Sequence, residues 1–267
     1  MDAFLDHFRY SIEVETNYST YHLLWLLLYA LMIIYLLVFY RKMSDFHFRL
    51  MLFIVGICFL IGEILKLLII FHHDGVWTID YYYIPWQFCS TPIYYTWIVA
   101  LIKNKKIYQG FLTYLAFYCL IAGGASIFVP ETIFTHIAWN NLHTLLLHGG
   151  MVVIAIYIIG SNRLDLKWQS FLIAAGIFTI STFIALGLNV FFHFAKPEAG
   201  VDFFFINPYI TWGPPIVIKV RNALAYPIYL AGYIIGFSGS ALLLFYIDRL
   251  CHQWLMNKNK MQEDIPL

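Results

Sequence analysis

Charged residues are scarce in this sequence. Only 12% of its 267 residues are Asp, Glu, Lys or Arg, whereas 61% are hydrophobic and 19% are aromatic. A soluble domain carries about 25% charged residues, and a chain with so few would expose a large apolar surface to water. The formal net charge of +1 excludes a strongly basic nucleic-acid-binding protein. The composition therefore predicts an integral membrane protein without a nucleic-acid partner.

Cysteine is also scarce, and the usual metal-ligand spacings are missing. The four cysteines are Cys58, Cys89, Cys119 and Cys251. No two of them fall together in a predicted outer loop, so we expect no disulfide framework. The chain has no C-x-x-C or H-x-x-x-H spacing, and His72 and His73 are adjacent. We therefore expect neither a metal site nor a cofactor.

Long hydrophobic runs, by contrast, are abundant. A helix needs about 20 apolar residues to cross the roughly 30 Å hydrocarbon core of a bilayer. Seven runs are long enough, at residues 22–40, 50–72, 84–102, 107–129, 141–160, 168–194 and 223–247. The third is the weakest, because Pro85, Gln87 and Pro92 interrupt its start. We predict an all-α membrane protein with seven transmembrane helices.

Lys and Arg are absent from the loops after the second and fourth predicted spans. Among the charged residue types, these loops carry acidic residues alone, namely Asp74, Asp80 and Glu131. Basic residues follow spans one, three, five and seven, at Arg41, Lys42, Arg49, Lys103, Lys105, Lys106, Arg163, Lys167, Arg249, Lys258 and Lys260. The positive-inside rule therefore predicts that the N-terminus is outside and the C-terminus is cytoplasmic. The sixth loop, 195–222, is then outside, and its aromatic residues suit an interfacial cap.

The chain shows no internal repeat, and we predict a single membrane domain. Residues 1–21 are expected to form an extracellular N-terminal segment, 22–250 the seven-helix transmembrane domain, and 251–267 a cytoplasmic tail. The N-terminal segment has no basic region or small-residue cleavage site, so it is not expected to be a signal peptide. The sequence leaves the oligomeric state open.

Glu63 is a costly residue near the middle of the second span. An unpaired carboxylate is unfavourable there, so it needs a partner or a function. Lys66 lies three residues further on the same helical face and would form an ion pair with it. Alternatively, Glu63 faces a polar cavity, where it orients a histidine or holds a proton. The sequence leaves both interpretations open.

Cys89 and His148 form the candidate catalytic pair. Cys89 lies about 7 Å into span three and His148 about 10 Å into span five, both measured from the outer side at 1.5 Å per residue. A thiol beside an imidazole is an activated nucleophile, because the imidazole takes the thiol proton and the thiolate attacks an acyl carbonyl. The alternative is that both side chains are buried packing groups.

Further polar residues fall at the same predicted depth. The supporting set consists of His22, Glu63, Gln87, Asn141, His143 and Asn189. Asn141 shares a helical face with His148, whereas His143 is five residues from His148 and should point elsewhere. Gln87 or Asn141 would donate a hydrogen bond to a developing oxyanion. Five spans would thus contribute to one polar layer near the outer surface, which predicts a polar cavity.

Several short motifs occur in the order found in a known family. The residues W…IPWQFCS at 77 and 84–90 resemble the W…LPLQLCS signature of the YwaF-type bacterial integral membrane proteins. Matching pieces occur in order at 19–22, Glu63, 123–131, His148, Asn189, 196–197 and 207–209. The chain departs from the signature at Trp86, which is usually Leu, and in the segment 212–215. More distantly, the sequence is similar to the transmembrane protein 164 family.

The resemblance carries implications for function. Members of the transmembrane protein 164 family are phospholipid acyltransferases that use a cysteine and a histidine. The resemblance therefore implies that Cys89 accepts the acyl group, that His148 is the base, and that membrane lipids are the substrate. It also implies a multi-pass protein of a cell membrane, in a bacterium the plasma membrane. The predicted function is an acyl transferase or lipase acting on phospholipid acyl chains.

Two other classes of function are compatible with seven spans. A transporter or a small-molecule-binding protein would use the same polar layer, with Glu63 binding a solute or relaying protons. A receptor or a rhodopsin is disfavoured, because span three lacks an acidic-Arg-aromatic triplet at its end and span seven has no Lys to hold retinal.

Overall fold

The computed structural model describes residues 2–73, 75–129 and 134–263. The Pro130–Glu131 part of the motif at 123–131 and the acidic residue Asp74 lie outside the described residues. The α-helices are α1 (Asp2–Asp6), α2 (Thr20–Phe39), α3 (Asp45–Phe71), α4 (Thr91–Leu101), α5 (Lys105–Thr113), α6 (Cys119–Phe128), α7 (Ala138–Gly160), α8 (Trp168–Ala195), α9 (Pro215–Ala223) and α10 (Tyr226–Glu263).

Short elements connect these helices. A π-helical turn at Tyr114–Tyr118 joins α5 to α6, so that Lys105–Phe128 is one continuous helix. The 3₁₀ turns are Tyr81–Tyr83, Phe88–Ser90, Pro197–Ala199 and Phe203–Phe205. Strands β1 (His72–His73) and β2 (Val76–Trp77) form a small antiparallel hairpin after α3.

Side-chain caps set the beginnings of three helices. The Ser19 hydroxyl accepts a hydrogen bond from the backbone N–H of His22 at the start of α2. Ser44 does the same at the start of α3, and Asn104 at the start of α5. Each cap satisfies a backbone donor that the first helical turn leaves without an acceptor. The basic loops between the hydrophobic runs therefore end in defined helix starts.

Six helices in the described part of the chain are long and apolar enough to cross a membrane. They are Thr20–Phe39, Asp45–Phe71, Lys105–Phe128, Ala138–Gly160, Trp168–Ala195 and Tyr226–Lys258. The third predicted span, 84–102, is shorter, with eleven residues in α4 after the three-residue turn Phe88–Ser90. The turn and α4 together extend about 21 Å. Pro85 explains the late start, because proline has no N–H to donate and the residue before it avoids the α region.

Helix α7 lies at the centre of the bundle and packs against α2, α3 and α6. Glycine permits the closest of these approaches, since a Cβ at Gly149 would lie 2.1 Å from the Tyr29 ring. A Cβ at Gly123 in α6 would lie 2.7 Å from the carbonyl oxygen of His148 in α7. Small residues at helix contacts let the backbones approach where lipid supplies no hydrophobic driving force. Gly123 and Gly149 therefore permit the close contacts of α7 with α6 and α2.

One end of the bundle gathers the basic loops. Arg163, after α7, forms an ion pair with Asp45 at the start of α3, with Nη1 and Oδ1 3.0 Å apart. Arg49 Nη1 donates to the carbonyl oxygen of Ile102, after α4, at 2.8 Å. Arg249 of α10 and the loop after α7 line the same surface pocket. The loops that carry the basic residues after spans one, three, five and seven therefore lie together.

The other end holds the remaining loops and the N-terminal segment. Gln87, before α4, donates from Nε2 to the carbonyl oxygen of Asp202, after α8, at 3.0 Å. Ser11 in the N-terminal segment forms an isolated β-bridge with Ile137, just before α7. The loops after α3, α6 and α8 thus share the end that holds the candidate residues of spans three and five.

Candidate functional site

Cys89 lies at the start of a short helix. The turn Phe88–Ser90 continues directly into α4, so Cys89 is the second residue of one apolar helix, Phe88–Leu101. The first residues of a helix have N–H groups without an intrahelical acceptor, and the partial positive charge there stabilises a thiolate. Cys89 forms no disulfide, and the residue is half-buried. Its position therefore suits a nucleophile.

A buried hydrogen-bonded chain fixes this helix start. The Thr91 hydroxyl donates to the carbonyl oxygen of Phe88 at 2.8 Å, and its oxygen lies 2.9 Å from the hydroxyl of Tyr114. Because the Thr91 proton is already used, Tyr114 is the donor in the second bond. Tyr114 begins the π-helical turn and is fully buried. Thr91 and Tyr114 were not among the candidate residues predicted from the sequence. The π-helical turn that Tyr114 begins is visible only in the structure, and such turns are frequent at functional sites.

His148 has one ring nitrogen committed and one free for chemistry. Its Nδ1 lies 2.8 Å from the carbonyl oxygen of Thr144 in the preceding turn of α7. A carbonyl only accepts, so Nδ1 carries the proton, and in the neutral ring Nε2 holds the lone pair. The side chain is 7% exposed. The Thr144 carbonyl therefore holds His148 in the tautomer that a general base requires.

The elements that carry Cys89 and His148 are in contact. The turn Phe88–Ser90, which carries Cys89, packs against α6 and against α7, which carries His148.

Glu63 has the lysine partner that the sequence predicted and a histidine beside it. Its carboxylate forms an ion pair with Lys66, and its Oε2 lies 3.2 Å from Nε2 of His143. Glu63 is 1% exposed, so the two cationic or polar partners replace the water that it loses. The histidine that Glu63 contacts is therefore His143 and not His148. Three residues on α3 and α7 thus form a buried polar cluster.

Two amides fasten a buried loop at the end of the bundle opposite the basic loops. Asn189 in α8 donates to the carbonyl oxygen of Phe203 at 2.9 Å and accepts from its N–H at 2.8 Å. Gln87 binds the backbone of Asp202 through Nε2 and accepts from the N–H of Phe204 at 2.9 Å. The loop 201–207, which we call the cap loop, is almost fully buried. The loop 195–222 was predicted to be an interfacial cap. Its cap-loop part is instead buried among the helices.

A family comparison defines the relationship of this chain to known proteins. The TMEM164 family profile matches residues 17–248. The chain belongs to the TMEM164 family. The match confirms the more distant of the two predicted resemblances, whereas the YwaF-type assignment stays a prediction. No curated protein and no solved structure matches the sequence significantly.

The six apolar helices and the family membership identify a multi-pass membrane protein. The match begins before α2 and ends within α10, so it includes every predicted span and the cap loop. Cys89, His148, Glu63 and His143 all lie inside the matched region. The candidate site is therefore part of the TMEM164 family domain.

The cap loop of this TMEM164 family member places aromatic rings against the segment with Cys89. The rings of Phe204 and Phe88 are stacked, with centroids 5.7 Å apart. Phe204 and Phe205 have φ values of +59° and +57°, a left-handed conformation that is unusual for a bulky residue. Such strain persists only where the surroundings enforce it. The sequence shows a run of three phenylalanines but no sign of this backbone.

Asp202 organises the cap loop from within. Its Oδ1 accepts from the N–H of Asn207 at 2.7 Å and its Oδ2 accepts from the N–H of Trp212 at 3.3 Å. Burial raises the pKa of Asp202 to about 7, and these two donors limit the rise. Asp202 was not among the residues selected from the sequence, because its role depends on loop geometry.

Two supporting residues have structural contacts for their polar groups. His22 accepts from the N–H of Tyr18 at Nδ1 (3.1 Å), and its Nε2 lies 2.9 Å from the carbonyl oxygen of Ile127. Both ring nitrogens are therefore occupied, and His22 joins α2 to the end of α6. Asn141 binds the backbone N–H and carbonyl of Thr135 and so fixes the start of α7.

Proposed function

We propose that this protein transfers acyl chains of phospholipids, with Cys89 as the nucleophile and His148 as the general base. One observation carries the proposal: a half-buried cysteine lies at a helix start that packs against α7, whose His148 keeps Nε2 free. The thiol supplies the attacking atom, the helix start stabilises the thiolate, and His148 accepts the proton. Membership of the TMEM164 family supports the same chemistry.

The reaction has two balanced halves. In the first, the Cys89 sulfur bonds to the carbonyl carbon of a phospholipid ester while the thiol proton passes to Nε2 of His148. The ester C–O bond breaks, and the departing lysophospholipid oxygen takes that proton. In the second, a hydroxyl of another lysophospholipid, or water, gives its proton to His148 and attacks the thioester. The C–S bond breaks and the thiol is restored, giving transfer or hydrolysis according to the acceptor.

Backbone N–H groups are the better candidates for stabilising the oxyanion. The amides of Gln87 and Asn141, which the sequence suggested for this role, already bind loop backbone. Phe88 and Cys89, as the first two residues of their helix, present N–H groups that need an acceptor outside the helix. Preorganised donors of this kind stabilise charge that develops in the transition state.

We further propose seven crossings, with the catalytic end outside and the basic end in the cytoplasm. Between Gln87, which binds the cap loop, and Ile102, which binds Arg49, the chain passes from one end of the bundle to the other. The helix in this segment is short. Irregular backbone at membrane depth is tolerated where it is buried in protein. The segment before Phe88 is covered by the cap loop, to which Gln87 is hydrogen-bonded. All the basic loops at one end then agree with the positive-inside rule.

This topology predicts how Cys251 reacts with thiol reagents. Cys251 is exposed on α10, two residues beyond Arg249. We expect a membrane-impermeant maleimide to label Cys251 in inverted vesicles or after permeabilisation, and to leave it unlabelled in intact cells. A variant with the other three cysteines changed to alanine isolates the signal. Labelling in intact cells would place the C-terminus outside and contradict the proposal.

Intact mass spectrometry tests the proposed intermediate. Purified protein incubated with phosphatidylcholine should gain the mass of one acyl group minus one hydrogen, located on Cys89. We expect His148→Gln to slow the appearance of this adduct by about 10²–10⁴-fold, because the proton then lacks an acceptor. His22→Gln is the matched control, since both nitrogens of His22 serve the fold. An adduct that forms equally fast without His148 would reject its role as the base.

The polar layer also suggested a transporter or a small-molecule-binding protein. The Glu63 cluster is the feature that such a function would use. Its carboxylate, however, has a partner at each oxygen, the Lys66 ammonium at one and the His143 ring at the other. A solute would have to displace one of them, so the closed cluster favours the acyl-transfer proposal.

A further inference from the structure

The basic end of the bundle contains a pocket remote from Cys89. It has a volume of about 700 Å³ and lies among the loops after α2, α4 and α7. Arg49, which lines it, precedes Glu63 on α3 by about 21 Å of helix. The pocket is therefore separate from the candidate catalytic site, and the acyl-transfer proposal gives it no role.

The pocket is strongly positive. Six basic side chains line it, and its one carboxylate belongs to Asp45. That carboxylate is already paired with Arg163. The exposed basic residues of the pocket are Arg41, Lys42, Lys103 and Lys105. These four have no ion-pair partner among the described residues.

Two arginines give the pocket a fixed floor. Arg49 donates to the carbonyl oxygens that end α4 and lies over the Tyr108 ring, 4.1 Å from its centroid. Arg163 binds Asp45 and lies over the Phe48 ring at 4.2 Å. Cation–π contacts and carbonyl bonds hold both guanidinium groups in place. A ligand would therefore meet two guanidinium groups that are already held in place.

Two helices also start at this pocket. The first N–H groups of α3 and α5 are capped by Ser44 and Asn104, so they do not bind a ligand directly. The partial positive charge of both helix starts nevertheless adds to the field of the basic side chains. An anion is the ligand that this field favours.

Three exposed apolar side chains lie within two residues of residues that line the pocket. Phe39 is 70% exposed, Phe46 71% and Leu101 66%, and each lies next to a loop that lines the pocket. Exposed aromatic and aliphatic side chains at a helix end face lipid in a membrane protein. A ligand with a charged group and acyl chains would contact the pocket and these side chains together.

We propose that this pocket binds a phosphate-bearing anion, as carried by the headgroup of an anionic phospholipid or by free phosphate. The basic residues pair with the phosphate oxygens, and the fixed arginines orient them. Bound across the three loops, the anion links α2, α4 and α7 at the end opposite the cap loop and stabilises the folded bundle. Basic pockets between membrane helices on the cytoplasmic side suit such headgroups.

Lipid binding in nanodiscs of phosphatidylcholine tests this site, with phosphatidylglycerol added in one arm and inorganic phosphate in another. The variant K42Q/K103Q/K105Q removes three pocket charges, and K196Q/K219Q/K258Q removes three exposed lysines elsewhere. We expect native mass spectrometry to show phosphatidylglycerol binding weakened about tenfold or more by the pocket variant and within about twofold of wild type for the control.

The two arms identify the source of the phosphate. A higher unfolding temperature with phosphatidylglycerol alone assigns the site to a lipid, and an equal effect of inorganic phosphate assigns it to a soluble anion. Should the triple variant fail to fold, K42Q and K103Q singly should each give a smaller loss of binding. Equal phosphatidylglycerol and phosphate binding by the wild type and the pocket variants would overturn the proposal.

Discussion

Cys89→Ala is expected to lower acyl transfer by about 10³-fold or more, to the level of background hydrolysis. Alanine leaves the helix start and the cap loop in place but removes the only atom that bonds to the acyl group in the proposed reaction. Cys89→Ser should keep the fold and retain a trace of activity, because a hydroxyl is a weaker nucleophile than a thiol. Transfer of a labelled acyl chain between phospholipids in proteoliposomes measures the rate.

The control for this experiment is Cys58→Ala. Cys58 is exposed on α3, so its loss changes the number of thiols without touching the candidate site. We expect its transfer rate to equal that of the wild type, and the unfolding temperatures of all variants should remain similar. Full turnover by purified Cys89→Ala protein would refute the cysteine mechanism, whatever the remaining family resemblance.

Glu63→Leu is expected to destabilise the folded protein by about 3–5 kcal/mol, which is the usual cost of breaking a buried ion pair. The Lys66 side chain is 17% exposed, so its ammonium would lose its countercharge without gaining full hydration. His143 would lose its partner at the same time. Unfolding by dodecyl sulfate in mixed micelles measures the change in the free energy of unfolding.

The double variant Glu63→Leu/Lys66→Met should recover much of that loss, because it removes the buried charge as well as its partner. Glu198→Gln is the control for a surface pair, since Lys196 and Glu198 are 4.0 Å apart and mostly exposed. We expect no measurable change there. If Glu63→Leu were as stable as the wild type, the cluster would not contribute to the fold.

The position of the membrane helices could be predicted from the sequence alone. The sixth predicted span, 168–194, agrees with α8 to within one residue. Hydropathy works here because a helix in lipid satisfies its backbone internally, so each span is encoded by its own residues. It was less accurate for 84–102, where Pro85 delays the helix until Phe88. The extension of α10 to Glu263 was also not predicted, because its last turns are polar.

The candidate site was only partly predictable. Depth along each helix indicated that Cys89 and His148 lie near the same end, and the structure places them on elements that pack together. Depth does not tell which way a side chain points. His22, selected on the same grounds, uses both ring nitrogens to join α2 and α6. The tautomer of His148 likewise depends on the Thr144 carbonyl.

The sequence by itself determined that this is a helical, multi-pass membrane protein with its basic loops at alternate connections, because hydropathy and charge are local properties of the chain. Only the tertiary structure decided what surrounds Cys89. Gln87 and Asp202, 115 residues apart, meet to fasten the cap loop, and Glu63 of α3 contacts His143 of α7. Contacts over such separations follow from how the helices pack and turn relative to one another, which no local pattern of residues specifies.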